Sequence, residues 1–135
     1  MELQLDDDLL TGFEAIDEQH RLFLEMLGEL AQRIEAGQHR QGLLDAIQGM
    51  RVYAEGHFAD EEALQERIGY PQRAAHTRLH ATFTAMVRDL EGRLDEGPGM
   101  LSLETLDFLG AWFLGHIRNE DRRFAAHAQR LPQQP

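Results

Sequence analysis

The stretch LLDAIQGMRVYAEGHFADEEALQERI, residues 43–68, decides the fold. Leu43, Ile47, Met50, Ala54, His57, Glu61, Leu64 and Ile68 advance along it by alternating steps of four and three. That alternation is the stripe of a helix packed against near-parallel neighbours. Three other segments carry the same stripe: Ile16, His20, Phe23, Leu27, Leu30 and Ile34; His76, His80, Phe83, Val87, Leu90 and Leu94; and Leu106, Leu109, Phe113, His116 and Ile117. Breakers at Gly12, Gly37, Gly69-Tyr70-Pro71, Gly97-Pro98-Gly99 and Pro132 delimit helical segments of about 17–36, 41–68, 72–95 and 102–128. Gly37 fits the residue after the first helix and Ser102 the N-cap of the fourth. The pattern predicts an all-α chain, an up-down-up-down antiparallel four-helix bundle over about 13–128. An extended N-terminal arm, 1–12, and a flexible tail, 129–135, complete a single domain spanning 1–135.

Composition narrows the chemistry. The 135 residues hold 24 acidic and 13 basic side chains, a formal net charge of −11, and no cysteine. Disulfides, iron–sulfur clusters, thiolate zinc sites and cysteine nucleophiles are thereby excluded. Every basic residue is arginine, so lysine Schiff-base chemistry is excluded too. An acidic surface repels phosphate backbones and anionic lipid, so neither nucleic acid nor membrane is an expected partner. The acidic start, Met1-Glu2-Leu3-Gln4-Leu5-Asp6-Asp7-Asp8, lacks the basic region of a signal peptide, and no apolar run is long enough to span a bilayer. The expectation is a cytoplasmic protein, and a monomer, since no exposed apolar seam demands assembly.

Ionisable residues interrupt the stripes at one level. His57 and Glu61, and His76 and His80, are pairs four apart, each placing two donors on one helix face. His20 and His116 fall on their own inward stripes. At 1.5 Å rise per residue, antiparallel packing brings these histidines and Glu61 into one slab of the core. Buried carboxylate and imidazoles are costly there unless something compensates them, and a metal would. Imidazole and carboxylate without sulfur suit iron, manganese or zinc. Five histidines and one or two carboxylates exceed the needs of one ion and fit a dinuclear centre bridged by carboxylate. The second bridge is Glu120 or Asp121; periodicity prefers Glu120, because on a regular helix Asp121 lies about 140° around from His116.

With these residues laid out, the chain resembles the hemerythrins, and among them the single-domain bacterial members. Gly12-Phe13-Glu14-Ala15-Ile16-Asp17-Glu18-Gln19-His20 is similar to the family's opening motif; His57-Phe58-Ala59-Asp60-Glu61-Glu62 is similar to its H-F-x-x-E-E. His76-Thr77-Arg78-Leu79-His80 fits H-x-x-x-H and His116-Ile117-Arg118-Asn119-Glu120-Asp121 fits H-x-x-x-x-D. The ordered set is far more specific than any one piece. The resemblance implies two Fe ions in an oxo-bridged di-iron centre with O2 as ligand. It implies metal ligation by His20, His57, Glu61, His76, His80, His116 and Asp121, with Glu61 and Asp121 bridging. His76, His80 and His116 would hold one iron, and His20 and His57 the other, which keeps the open position. Phe23, Phe58, Leu64, Trp112 and Phe113 are then the expected lining of the O2 pocket, Phe113 standing where the family usually has an aliphatic residue. Leu5 stands where bacterial members often carry tryptophan.

Each residue also has a plainer reading. A single buried histidine is more often a satisfied core residue than a ligand, and the aromatic residues would serve as core without any oxygen. His39 and His127 lie off the motifs and read as surface residues, and Glu62, Glu120, Asp60 and Asp17 as solvated or supporting groups. The implied function is reversible O2 binding by a carrier, store or sensor that is not an enzyme. The alternative is a di-iron enzyme acting on O2, peroxide or nitric oxide. Carboxylate-rich oxidases of this architecture use Glu-x-x-His pairs, and this sequence has none. A sensor would need a separate redox or signalling partner.

Overall fold

A computed structural model describes residues 5–37, 40–94 and 102–130. Met1–Gln4, His39, Gly97-Pro98-Gly99 and the residues beyond Arg130 lie outside the described residues. After a short 3-10 turn, Asp7–Leu9, come α1 (Glu14–Glu35), α2 (Arg40–Ile68), α3 (Arg73–Arg93) and α4 (Leu103–His116). A five-residue π segment, Ile117–Asp121, joins α4 to α5 (Arg122–Arg130), so the last rod of the bundle is helical from Leu103 to Arg130.

Local chemistry sets the ends. Gly69 (φ 69°) closes α2: its N–H donates to the Glu66 carbonyl and that of Tyr70 to the Gln65 carbonyl. This is the paired bonding of a Schellman cap, which needs a left-handed residue. Ser102 Oγ accepts from the Thr105 N–H at 3.2 Å and caps α4 as expected. α1 starts at Glu14, a turn earlier than the apolar pattern places it, because Asp17 reaches back into the arm. Its carboxylate accepts from Thr11 N–H and Oγ1, both at 2.8 Å, and from Gly12 N–H at 3.2 Å. Asp17 is therefore buried, as the arm's anchor. Gly12 is required there, since its φ is 90° and a Cβ would stand 2.9 Å from Gln129 Nε2.

α1 packs on α2 and α4, and α2 on α3. Side-chain partners descend α3 as they climb α2 (Arg51 with Glu91, Glu55 with Arg88, Glu62 with His80, Glu66 with Arg73), the signature of antiparallel neighbours. The predicted stripes are buried, from Phe23, Leu27 and Leu30 on α1 to Leu106, Leu109 and Phe113 on α4, except that Ile34, Leu64 and Ile68 are half-buried. Two apolar clusters result. The larger joins Phe23, Leu27, Ile47, Met50, Phe83, Val87 and Phe113, with Leu9 of the arm sealed against it. The smaller holds Ile16, Tyr70 and Phe124, with Leu64 and Ile68 packed on it. Along α1, α2 and the last rod the buried ionisable residues lie between the two. Among the described residues no helix is long and apolar enough to cross a membrane.

Candidate metal centre

All seven predicted positions converge. His20, His57, Glu61, His76, His80, His116 and Asp121 are at most 5% exposed. They form two groups of mutually close donor atoms sharing both carboxylates: Glu61, His76, His80, His116 and Asp121; and His20, His57, Glu61 and Asp121.

The carboxylates divide their oxygens between the two groups. Glu61 Oε1 lies 2.7 Å from His76 Nε2 and 3.4 Å from His80 Nε2, while its Oε2 lies 3.5 Å from His57 Nε2 and 4.0 Å from His20 Nε2. Asp121 Oδ1 lies 2.9 Å from His76 Nε2 and 3.1 Å from His116 Nε2, while its Oδ2 lies 3.1 Å from His20 Nε2.

Periodicity misplaced one residue, and the π segment explains it. Arg122 N–H donates to the Ile117 carbonyl, five residues back rather than four. This wide turn takes up one extra residue, so positions five apart stack on one face. Asp121 turns into the core at 1% exposure, and the Glu120 side chain remains at 28%, paired with Arg123.

The donor set fits metal ions. Both oxygens of Glu61 and of Asp121, both nitrogens of His20 and His76, and Nε2 of His57 are buried without a hydrogen-bond partner. Anionic oxygens and imidazole nitrogens in mutual contact but not aligned for hydrogen bonding are costly unless cations take their lone pairs.

The electrostatics follow. Burial pushes His57 down to about 4, despite the nearby Glu61. Burial acts the same way on His76, but Asp121 and Glu61 beside it carry it up to about 9. Burial would raise both carboxyls, and the charge of Asp121 would raise Glu61 further. Contact with His76 and His80 nevertheless holds Glu61 below its usual range, and contact with His116, His20 and His76 holds Asp121 well below.

Supporting residues fix two imidazoles. His57 Nδ1–H donates to Gln19 Oε1 at 2.7 Å, and Gln19 Nε2 donates onward to Asp60 at 3.0 Å. His80 Nδ1–H donates to Glu62 at 2.8 Å. Such contacts set the tautomer that leaves Nε2 free to ligate. Gln19 escaped the sequence reading; its one signal was adjacency to His20. Gln65, fully buried one turn beyond Glu61, escaped too, because the stripe took Leu64 instead.

The five expected pocket residues do not share one place. The Phe113 ring meets His20 edge-on at 5.6 Å, lies 6.4 Å from His57 and packs on Phe23 at 4.2 Å. Phe58 stacks on His80 at 4.0 Å and also reaches His57 at 5.6 Å. Trp112 stacks on His116 at 5.0 Å, on the three-histidine side, and Leu64 belongs to the smaller cluster. Two open grooves approach that three-histidine side, one of about 440 Å³ reaching Phe58, Glu62 and His80 and one of about 250 Å³ reaching Trp112 and His116. Neither is lined by His20 or His57. Of the remaining histidines, His127 packs on Tyr70 at 5.2 Å, away from the cluster.

Comparison with known proteins agrees with this geometry. Residues 11–128 match the family model described as hemerythrin HHE cation binding domain. The chain is 37% identical over 119 residues to the bacteriohemerythrin of Stenotrophomonas maltophilia (strain R551-3), covering 88% of this chain and 76% of that protein. It is 34% identical over 115 residues to the bacteriohemerythrin of Pseudomonas aeruginosa (strain UCBPP-PA14), covering 85% and 74%. A crystal structure of wild-type hemerythrin superposes with a TM-score of 0.78 at 24% identity, covering 84% of this chain and 86% of that one, which speaks to the fold.

Proposed function

The chain belongs to the hemerythrin family, and from that premise we propose that it binds dioxygen reversibly at a non-haem di-iron centre, as an O2 carrier, store or sensor. The observation that carries this reading is the division of Glu61 and Asp121, each with one oxygen toward three histidines and the other toward two. In this reading His76, His80 and His116 hold one iron, His20 and His57 the other, and the carboxylates span both. Two ferrous ions, when bound, supply an open coordination position and the electrons that O2 takes up.

The chain's own residues supply the rest. With one histidine fewer than its neighbour, the group of His20, His57, Glu61 and Asp121 would leave a bound iron a position for O2. Phe113 and Phe23 wall that side. Their rings exclude water and carry no proton donor. Gln19 and Glu62 hold His57 and His80 in the ligating tautomer. The same wall supports a binding protein over an enzyme, since turnover of O2 or peroxide needs a proton delivered beside the open position.

The visible spectrum of anaerobically reduced, iron-loaded protein tests this, read before O2, after O2 and after O2 removal. A colour that comes and goes with O2 is the expected result. A colour that cannot be reversed supports the oxidising enzyme, and absence of both colour and bound iron defeats the reading.

A further inference from the structure

The amide of Gln65 is buried one turn beyond Glu61. Gln65 is 0% exposed, and neither Oε1 nor Nε2 has a hydrogen-bond partner. Outside the seven centre residues it is the sole side chain, among the described residues, with buried polar atoms left unpartnered. Leaving such a group unsatisfied is costly, so the position is one an apolar side chain would fill at less cost.

Three observations place it. Asp60, about 100° to one side of Glu61, meets Gln19 of α1, while Glu62, about 100° to the other, meets His80 of α3. Gln65 is displaced from Glu61 by about 40° in the direction of Glu62, and so leans toward α3. The register of α2 on α3 runs from Glu62 with His80 to Glu66 with Arg73, which sets Gln65 opposite the turn that carries His76. The Gln65 backbone carbonyl accepts from Tyr70 N–H, and the Tyr70 ring lies 6.5 Å from that of His76. His76 Nδ1, in turn, is buried with no partner, whereas His57 and His80 have theirs in Gln19 and Glu62.

We propose that Gln65 is the positioning residue for His76: its side-chain carbonyl accepts the His76 Nδ1 proton, with one water as the link. A buried water between two such groups satisfies both. Gln65 thereby fixes the tautomer that presents Nε2 to the three-histidine metal. This rests on the di-iron reading.

The test uses full-length, zinc-loaded, 15N-labelled protein, in which the His76 Nδ1–H is observed by NMR, together with iron-affinity titration. In the parent protein a slowly exchanging His76 Nδ1–H is expected. Gln65→Met loses it, and iron affinity falls about 10–100-fold; Gln65→Glu, which still accepts a proton, recovers both. Should the Met variant fail to fold, Gln65→Asn, one methylene too short, gives the same losses. A Met or Asn variant with unchanged His76 signal and unchanged iron affinity overturns the proposal. Parent protein that takes up no metal pair overturns the di-iron reading instead.

Discussion

Asp121 Oδ1 stands 3.1 Å from His116 Nε2, although five residues separate them on one helical rod. Only the widened π turn over Ile117–Asp121 permits this. Asp121→Ala is therefore expected to abolish binding of the iron pair, while Glu120→Ala leaves it intact. Iron content per chain after anaerobic loading decides; equal loss in both variants would contradict the assignment.

The outer hydrogen bonds to His57 and His80 make a second prediction. Gln19→Ala or Glu62→Ala leaves an Nδ1–H without its acceptor and weakens iron binding about 10–100-fold. Competition titration against a chelator of known affinity measures this. Because Gln19 serves the two-histidine iron and Glu62 the three-histidine iron, each variant weakens a different one of two binding steps.

The metal-free protein has a pH signature. His57 falls from 6.5 to about 4 on folding, so its share of stability is complete above pH 6.5 and is lost as pH drops toward 4. His76 rises from 6.5 to about 9, so its share is complete below pH 6.5 and is lost as pH climbs toward 9. Each is worth on the order of 3 kcal/mol. Urea midpoints of metal-free protein should peak near pH 6.5 and fall on both sides, and His76→Ala should remove the alkaline fall. At pH 7 iron must displace a proton from His76 but none from His57. Weakly buffered dye titrations should show the release of the His76 proton on iron uptake, a release that His76→Ala removes.

Phe113 joins stability to function. It is fully buried against Phe23, His20 and Phe83. Phe113→Ala should cost about 3–5 kcal/mol by chemical denaturation. It also opens the wall over His20 and His57 to water, so the O2-dependent colour should bleach irreversibly several-fold faster. Unchanged bleaching with the expected loss of stability would confine Phe113 to packing.

Much was legible in the sequence because burial and helical period constrain each other. The step of four and three cannot place Leu43, Ile47, Met50 and Ala54 inward without also placing His57 and Glu61 there. The three companion stripes then fix four helices with their histidines at one level. Ionisable residues at core positions on every helix point to a metal, since buried carboxylate and imidazole are costly and a cation compensates them.

Tertiary structure decided what depends on departures from that regularity. A straight α-helix faces Glu120 inward, and the π turn that selects Asp121 leaves no mark in apolar spacing. The stripe continues equally well through Leu64 or Gln65, and only the packed structure makes Gln65 the fully buried one. His57 and His76 have the same side chain yet are displaced to opposite sides of its ordinary pKa. The reason is that helix packing leaves His57 with burial dominant and sets His76 within 2.9 Å of both carboxylates. Sequence spacing specifies which faces meet, but the distances that set charge and ligation arise only when those faces are in contact.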